Sequence, residues 1–159
     1  MVVIKNKEYL AEDLIISRKQ TIDKIKKYWI DIQNFNIVDK TYTPKVNVQK
    51  LYDEIKELEV QLVDLKLANQ GINMRMKTMS EMKESAYPSI YTLSQLKERK
   101  EKLRILKATI DKQSKDVSKT SNIVLTSDKI DNEISEIDKE IKLINEDLET
   151  FNKIAKFTM

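Results

Sequence analysis

From Val48 to Ile72 the chain steps by threes and fours through Val48, Leu51, Ile55, Leu58, Leu62, Leu65, Asn69 and Ile72, without a miss. Such steps bring side chains onto one face of an α-helix, whereas a strand would divide them between two faces. A second row does the same: Ile130, Ile134, Ile137, Ile141, Ile144, Leu148, Phe151 and Ala155. Each row is about three and a half heptads of a coiled-coil seam. Chance supplies one or two heptads of this kind and rarely two long rows in one short chain. The fold must therefore be built around helices that present continuous apolar edges.

The rest of the chain is consistent with that constraint. Among 159 residues there are one Gly and two Pro, which leaves few sites for sheet hairpins. Four long amphipathic helices are expected, over about 7–38, 48–73, 92–113 and 128–157, in one helical domain covering 1–159. The expected class is all-α, with antiparallel coiled-coil or helical-bundle packing, because the connections suit antiparallel neighbours. In the first helix the stripe is Ile22, Ile25, Trp29 and Ile32, with Leu10 and Leu14 leading in. In the third it is Leu96, Leu103, Leu106 and Ile110, interrupted by Arg99. Tyr52, Val63, Leu67 and Leu143 lie off the seams and widen them beyond what one partner covers. Bundles of more than two helices follow.

Local signals suggest where the helices begin and end. Pro44 closes the first break, and Gly71 is a plausible stop for the second helix. Pro88 is expected to end the Met-rich link of Met74, Met76, Met79 and Met82, a cluster read mainly as filler of irregular gaps. Thr92-Leu93-Ser94-Gln95 fits a capping box, with Tyr91 and Leu96 placed as a staple. Ile123-Val124-Leu125 is a short apolar run suited to extended chain, and Ser127 or Asp128 can cap the last helix. Asn69 occupies a core position of an aliphatic seam. It either fixes register through a polar partner or is solvated near the helix end. The apolar Val2, Val3, Ile4, Phe157 and Met159 are expected to dock onto neighbouring surface.

Composition narrows the chemistry. There is no His and no Cys, so the usual general base, thiol nucleophiles, thiolate metal sites and the Glu-x-x-His pairs of bundle di-iron sites have no residues to form them. One glycine cannot make a phosphate-cradling loop or a dinucleotide fingerprint. No catalytic residue, cofactor or metal is expected, nor a small-molecule substrate. Acidic pairs such as Asp53 with Glu57, and Glu133 with Glu136, read as solvated faces pairing with lysines. The net charge of +3 comes from 29 basic and 26 acidic residues that interleave, as in Lys97-Glu98-Arg99-Lys100-Glu101-Lys102. A nucleic-acid binder concentrates its excess and intersperses aromatics, so this run reads as a solvated face. Arg99 and Glu101 are the candidates for an interhelical polar contact. The first residues carry too short an apolar run for a signal peptide, and no stretch approaches the length of a membrane span. A cytoplasmic or virion protein is expected.

The order of features from Ala11 to Phe157 resembles the septicolysin-like family of small bacterial helical proteins. The matching features are Ala11-Glu12 at the first helix, the Asn-containing stretch from Asn34 to Pro44, and Ile72-Asn73 closing a Leu-rich helix. Thr92, Leu93, Leu96, Arg99, Glu101 and Leu103 look like the family's Thr-Leu-x-x-Leu-x-x-Arg-x-acid-x-Leu pattern, and Phe151-Asn152 like its closing pair. The chain departs from the family at the second Asn after Ile72-Asn73, at Glu101 where Asp is usual, and in the Met-rich link. The resemblance implies a helical, self-associating protein. The family name suggests a haemolysin, but toxicity is not carried over, because most members have no established activity.

The expected function is thus a non-enzymatic structural or scaffolding homo-oligomer, alone or with other proteins of a larger assembly, a phage virion being one setting. Membrane activity, supported by the Met-rich link and Val2-Val3-Ile4, and a nucleic-acid adaptor using Lys97 to Lys107 are the alternatives. The seams themselves are testable. Leu58→Asp or Ile137→Asp is expected to unfold or dissociate the protein, since an unpaired buried carboxylate is costly. Unchanged helicity by circular dichroism and unchanged mass in both variants would contradict the seams.

Overall fold

A computed structural model describes residues 2–4, 7–76, 78–113 and 121–155, with the backbone alone for 2–4 and 7. The class is all-α. Among the described residues there are five helices: α1 (Ala11–Phe35), α2 (Val48–Asn73), α3 (Met79–Lys83), α4 (Tyr87–Asp111) and α5 (Ser127–Ile154). Two small antiparallel ladders accompany them. One joins β1 (Val2–Ile4) to β2 (Lys7–Tyr9), and the other joins β3 (Ile37–Asp39) to β4 (Ser121–Ile123).

The ladders account for the main departures from the expected boundaries. The first helix does not begin near residue 7, because Lys7–Tyr9 pairs with Val2–Ile4 and Leu10 enters α1 extended. It ends at Phe35, and Ile37–Asp39 leaves to pair with β4. Gly71 is not a stop. It is buried within α2, which runs on to Asn73, and the reversal falls at Arg75 with φ 60°. Pro88 does not close a link; it sits in the first turn of α4, where its missing N–H has no helical partner to lose. Thr92 is therefore inside α4 and caps nothing. The working caps are Asn47 on α2, Thr78 on α3 and Thr126 on α5, each accepting a backbone N–H three residues on. Ser127 and Asp128 are already helical. Phe157, Met159, Lys77 and residues 114–120 lie outside the described residues.

Helix α2 lies centrally, with α1 along one side and α4 on another, while α5 packs along α4. Two core clusters follow. The larger joins Trp29 and Ile32 of α1, Val48, Tyr52 and Ile55 of α2, Leu103 and Leu106 of α4, and Ile130 and Ile137 of α5. Trp29 and Tyr52 meet edge to face, with ring centroids 6.1 Å apart. The smaller gathers Leu14, Leu67, Ala68, Met79 and Met82. Two methionines of the link thus fill the corner where α3 meets α1 and α2, while Met74 stays exposed. Lys107–Asp131 at 2.6 Å and the Lys100–Asp138 pair step in opposite directions along α4 and α5.

One amide ties the end of α1 to the start of α5. Asn36, just after α1, is 1% exposed. Its Nδ2 donates to the Leu125 carbonyl at 3.1 Å, and its Oδ1 accepts the Leu125 N–H at 2.7 Å. The Asn36 carbonyl accepts from Val124 N–H at 3.1 Å. The side chain extends the β3–β4 pairing by one step and seats Leu125 in the core at the start of α5. Asn36→Ala strands both backbone groups of Leu125 in a dry place. We expect a loss of about 2–4 kcal/mol in urea unfolding, since each buried unsatisfied group costs roughly 1–3 kcal/mol.

Candidate interaction surface

The α2 seam is buried on a rotated face. Val48, Ile55, Leu58 and Leu62 are buried, while Leu51, Leu65, Asn69 and Ile72 are half-buried. Tyr52 and Glu59 are also buried, so the best-covered row is Val48, Tyr52, Ile55, Glu59 and Leu62. These too alternate four and three. The physical reason is that α2 has two large neighbours, and its dry surface spans more than one stripe.

The α5 seam divides along its length. Ile130 and Ile137 are buried, Ile134, Ile141, Ile144 and Leu148 are half-buried, and Phe151 is exposed. Leu143 and Ile154 beside it are 61% and 69% exposed. The expectation that this whole row lines a dry contact is corrected: it is dry only toward its start. There Leu125 and the β3–β4 ladder hold α5 against both α2 and α4. Over its length α5 packs chiefly on α4, and Glu140 also borders the cleft beside α2.

Of the two polar candidates, Arg99 lies between helices and Glu101 does not. Glu101 is exposed and pairs with Arg104 of its own helix at 3.9 Å. Arg99 completes the α4 row Leu96, Arg99, Leu103, Leu106 and Ile110, and its Nη1 lies 3.5 Å from Glu59 Oε2 on α2. Both side chains are more than nine-tenths buried, and this long contact is not a hydrogen bond. Arg99 Nε has no partner. Burial pushes the Glu59 carboxyl up to about 7, against the pull of Arg99, with Glu98 and Glu140 adding to the rise and Lys56 opposing it. Sequence reasoning missed Glu59 and the buried Gln95. The signal available was the second row on α2 that contains Glu59, set against an Arg in the α4 seam.

A second polar tie joins α2 to α5. The Tyr52 hydroxyl donates to Glu133 Oε2 at 2.7 Å, and Lys56 stands 3.9 Å from the same carboxylate and over the Tyr52 ring. Burial, then this hydrogen bond, holds the Tyr52 phenol well above its ordinary range. Among the acidic pairs expected to be solvated, Asp53 meets Lys56 and Glu136 meets Lys139, but Glu133 is drawn into the α2–α5 contact.

Glu59, Gln95 and Arg99 form a floor between two clefts. One, of about 520 Å³, opens between α2 and α4 over Val60, Val63, Leu67 and Thr92, with Glu140 of α5 at its edge. The other, of about 430 Å³, opens between α1, α2 and α4 over Ile25, Trp29, Leu62 and Ile105, rimmed by Lys26, Lys66 and Lys102. A third cleft, of about 560 Å³, lies along α1 and the end of α2 over Ile15, Ile22, Asn69 and Ile72. Asn69 Nδ2 is buried there without a partner, so among the described residues no register-fixing contact to Asn69 Nδ2 exists. Among the described residues no cluster of three or more carboxylates could hold a metal ion. No described helix is long and apolar enough to cross a membrane.

Fold and surfaces together define an all-α helical protein with an unfinished apolar seam and a poorly satisfied buried ion pair. No protein-family model, curated protein or solved structure matches the chain.

The Glu59–Arg99 pair sets a pH dependence. A carboxyl raised from 4.5 to about 7 on folding binds its proton more tightly in the native state. Its contribution therefore weakens stability as pH rises from about 4.5 to about 7. Glu59→Gln is expected to remove that slope from the urea midpoint. Arg99→Met leaves an unpaired carboxylate and should cost about 3–5 kcal/mol at pH 8, and clearly less at pH 5 where Glu59 is protonated. Equal losses at both pH values would remove Glu59 from the account.

Proposed function

We propose that this chain is a non-enzymatic structural protein that associates with further copies of itself through its helical seams. The observation that carries this is the open half of α5. Ile141, Ile144 and Leu148 are half-buried and Phe151 and Ile154 exposed in one stretch of a single helix, with Leu143 exposed off this stripe. An isolated exposed apolar residue is ordinary, but a contiguous helical stripe of this length is a contact surface. Covering one such side chain contributes roughly 1.5–3 kcal/mol at full burial, so four or five together suffice for association once orientational losses are met.

Three further features support the same proposal. The residue set lacks His and Cys, and so offers few routes to catalysis. The clefts are open troughs between helices, shaped for side chains of a rod more than for an enclosed small molecule. The ordered resemblance to septicolysin-like proteins also points to a self-associating helical protein. A virion or a cytoplasmic assembly would each accommodate this role.

Sedimentation equilibrium tests the proposal. The protein is expected to associate reversibly in the micromolar range. Ile144→Asp/Leu148→Asp is expected to sediment as a monomer with its helicity kept, because both positions are only half-buried within the chain. A wild-type protein that stays monomeric to hundreds of micromolar would refute self-association.

A further inference from the structure

We propose that the open stripe of α5 docks into the basic trough along α1 of a second copy, making a head-to-tail contact. This rests on the self-association proposed above and adds which two surfaces meet. The clefts over Ile15 and over Trp29 share Ile22 and Lys26, so they form one trough along α1. From Ile15 to Trp29 it spans about 21 Å at 1.5 Å per residue, and the open stripe from Ile141 to Ile154 spans about 20 Å. The lengths match.

The charges match as well. Arg18, Lys26, Lys66 and Lys102 stand around the trough from α1, α2 and α4, and none makes an ion pair among the described residues. Burial and the neighbouring Arg18 hold the Lys66 amine below its ordinary range, as where cations crowd without enough counter-charge. Asp23, Glu59, Glu98 and Glu101 line the trough too, but with Lys19 and Arg99 also lining it the cations stay in excess. The α5 stripe carries the opposite balance: Glu140, Glu146, Asp147 and Glu149 accompany it against Lys142 and Lys153. Those acids also argue against α5 pairing with its own copy, since like charges would be brought together along the contact.

The buried polar inventory agrees. Among the described residues the buried side-chain atoms without a partner are Asn69 Nδ2 and Arg99 Nε. Both are donors, both residues line this trough, and carboxylates are the acceptors that α5 would bring. A contact between two different surfaces is heterologous, so each copy keeps one free stripe and one free trough, and the assembly extends or closes into a ring.

Complementation of two full-length variants tests this. The first, Ile144→Asp/Leu148→Asp, spoils the stripe. The second, Lys26→Glu/Lys102→Glu, reverses charge at the trough on side chains that no core contact requires. Each alone should sediment as a monomer with wild-type helicity. An equimolar mixture should form a dimer of one copy of each and nothing larger, because the intact trough of one accepts the intact stripe of the other. Should the stripe variant lose helicity, Phe151→Glu/Ile154→Glu, at exposed positions, takes its place. Wild-type association should weaken at least tenfold between 50 and 500 mM NaCl. If the trough variant associates as wild type does, or the mixture stays monomeric while wild type associates, the head-to-tail contact is overturned but self-association stands. A monomeric wild type overturns both.

Discussion

Helix α2 carries more apolar surface than any single neighbour can cover, and most of the structure answers to that. Its buried row through Val48, Tyr52, Ile55 and Leu62, and its buried Leu67 and Ala68, face different directions. With α1 alone, much of this surface would stay wet at roughly 25 cal/mol for each square ångström. Helix α4 is the second cover. Once α4 is seated there, its own row of Leu96, Leu103 and Leu106 is dry, and α5 can add only along its remaining side. Among the four long helices α2 buries the most residues and α5, the last to be covered, the fewest.

The polar groups in the core sit where coverings meet. Asn36 satisfies both backbone groups of Leu125 and so lets an extended segment pass through the dry end of the bundle. Tyr52 and Glu133 join α2 to α5 by a side-chain hydrogen bond. Glu59 and Arg99 mark the α2–α4 contact, but at 3.5 Å and with Arg99 Nε unpartnered they are incompletely satisfied. A pair of this kind contributes less to stability than leucines of similar volume would, and its best-attested use is to select one register among many. Two leucine-rich helices can slide by a heptad with little loss; a buried arginine facing a buried glutamate cannot.

The asymmetry of α5 is what turns a fold into a surface. Its start is held by Thr126, Leu125 and the β3–β4 ladder, and the helix rests chiefly on α4. In the proposed contact an acidic, half-covered apolar rod meets a basic trough, two different surfaces not related by a two-fold axis. Symmetric dimers use one surface twice, whereas this arrangement needs two.

The helical class and the reach of α2 and much of α5 were legible from residue spacing, because a period near 3.6 leaves an imprint on every third or fourth position. Arg99 stood out because a cation interrupted an aliphatic row. Its partner did not, because Glu59 belongs to a face of α2 that is dry only when α4 lies on it, and local pattern carries no record of which neighbour arrives. The same holds for the ladders, where Lys7–Tyr9 and Ile37–Asp39 are short segments that become strands by pairing with other parts of the chain. Pro88 and Gly71 read as punctuation in isolation, yet a first-turn proline and a buried glycine are at home inside helices. Spacing alone determined that these side chains line up on helical faces; which of those faces are dry, and which half of α5 remains open, was decided by tertiary packing, since burial belongs to pairs of surfaces and not to either one.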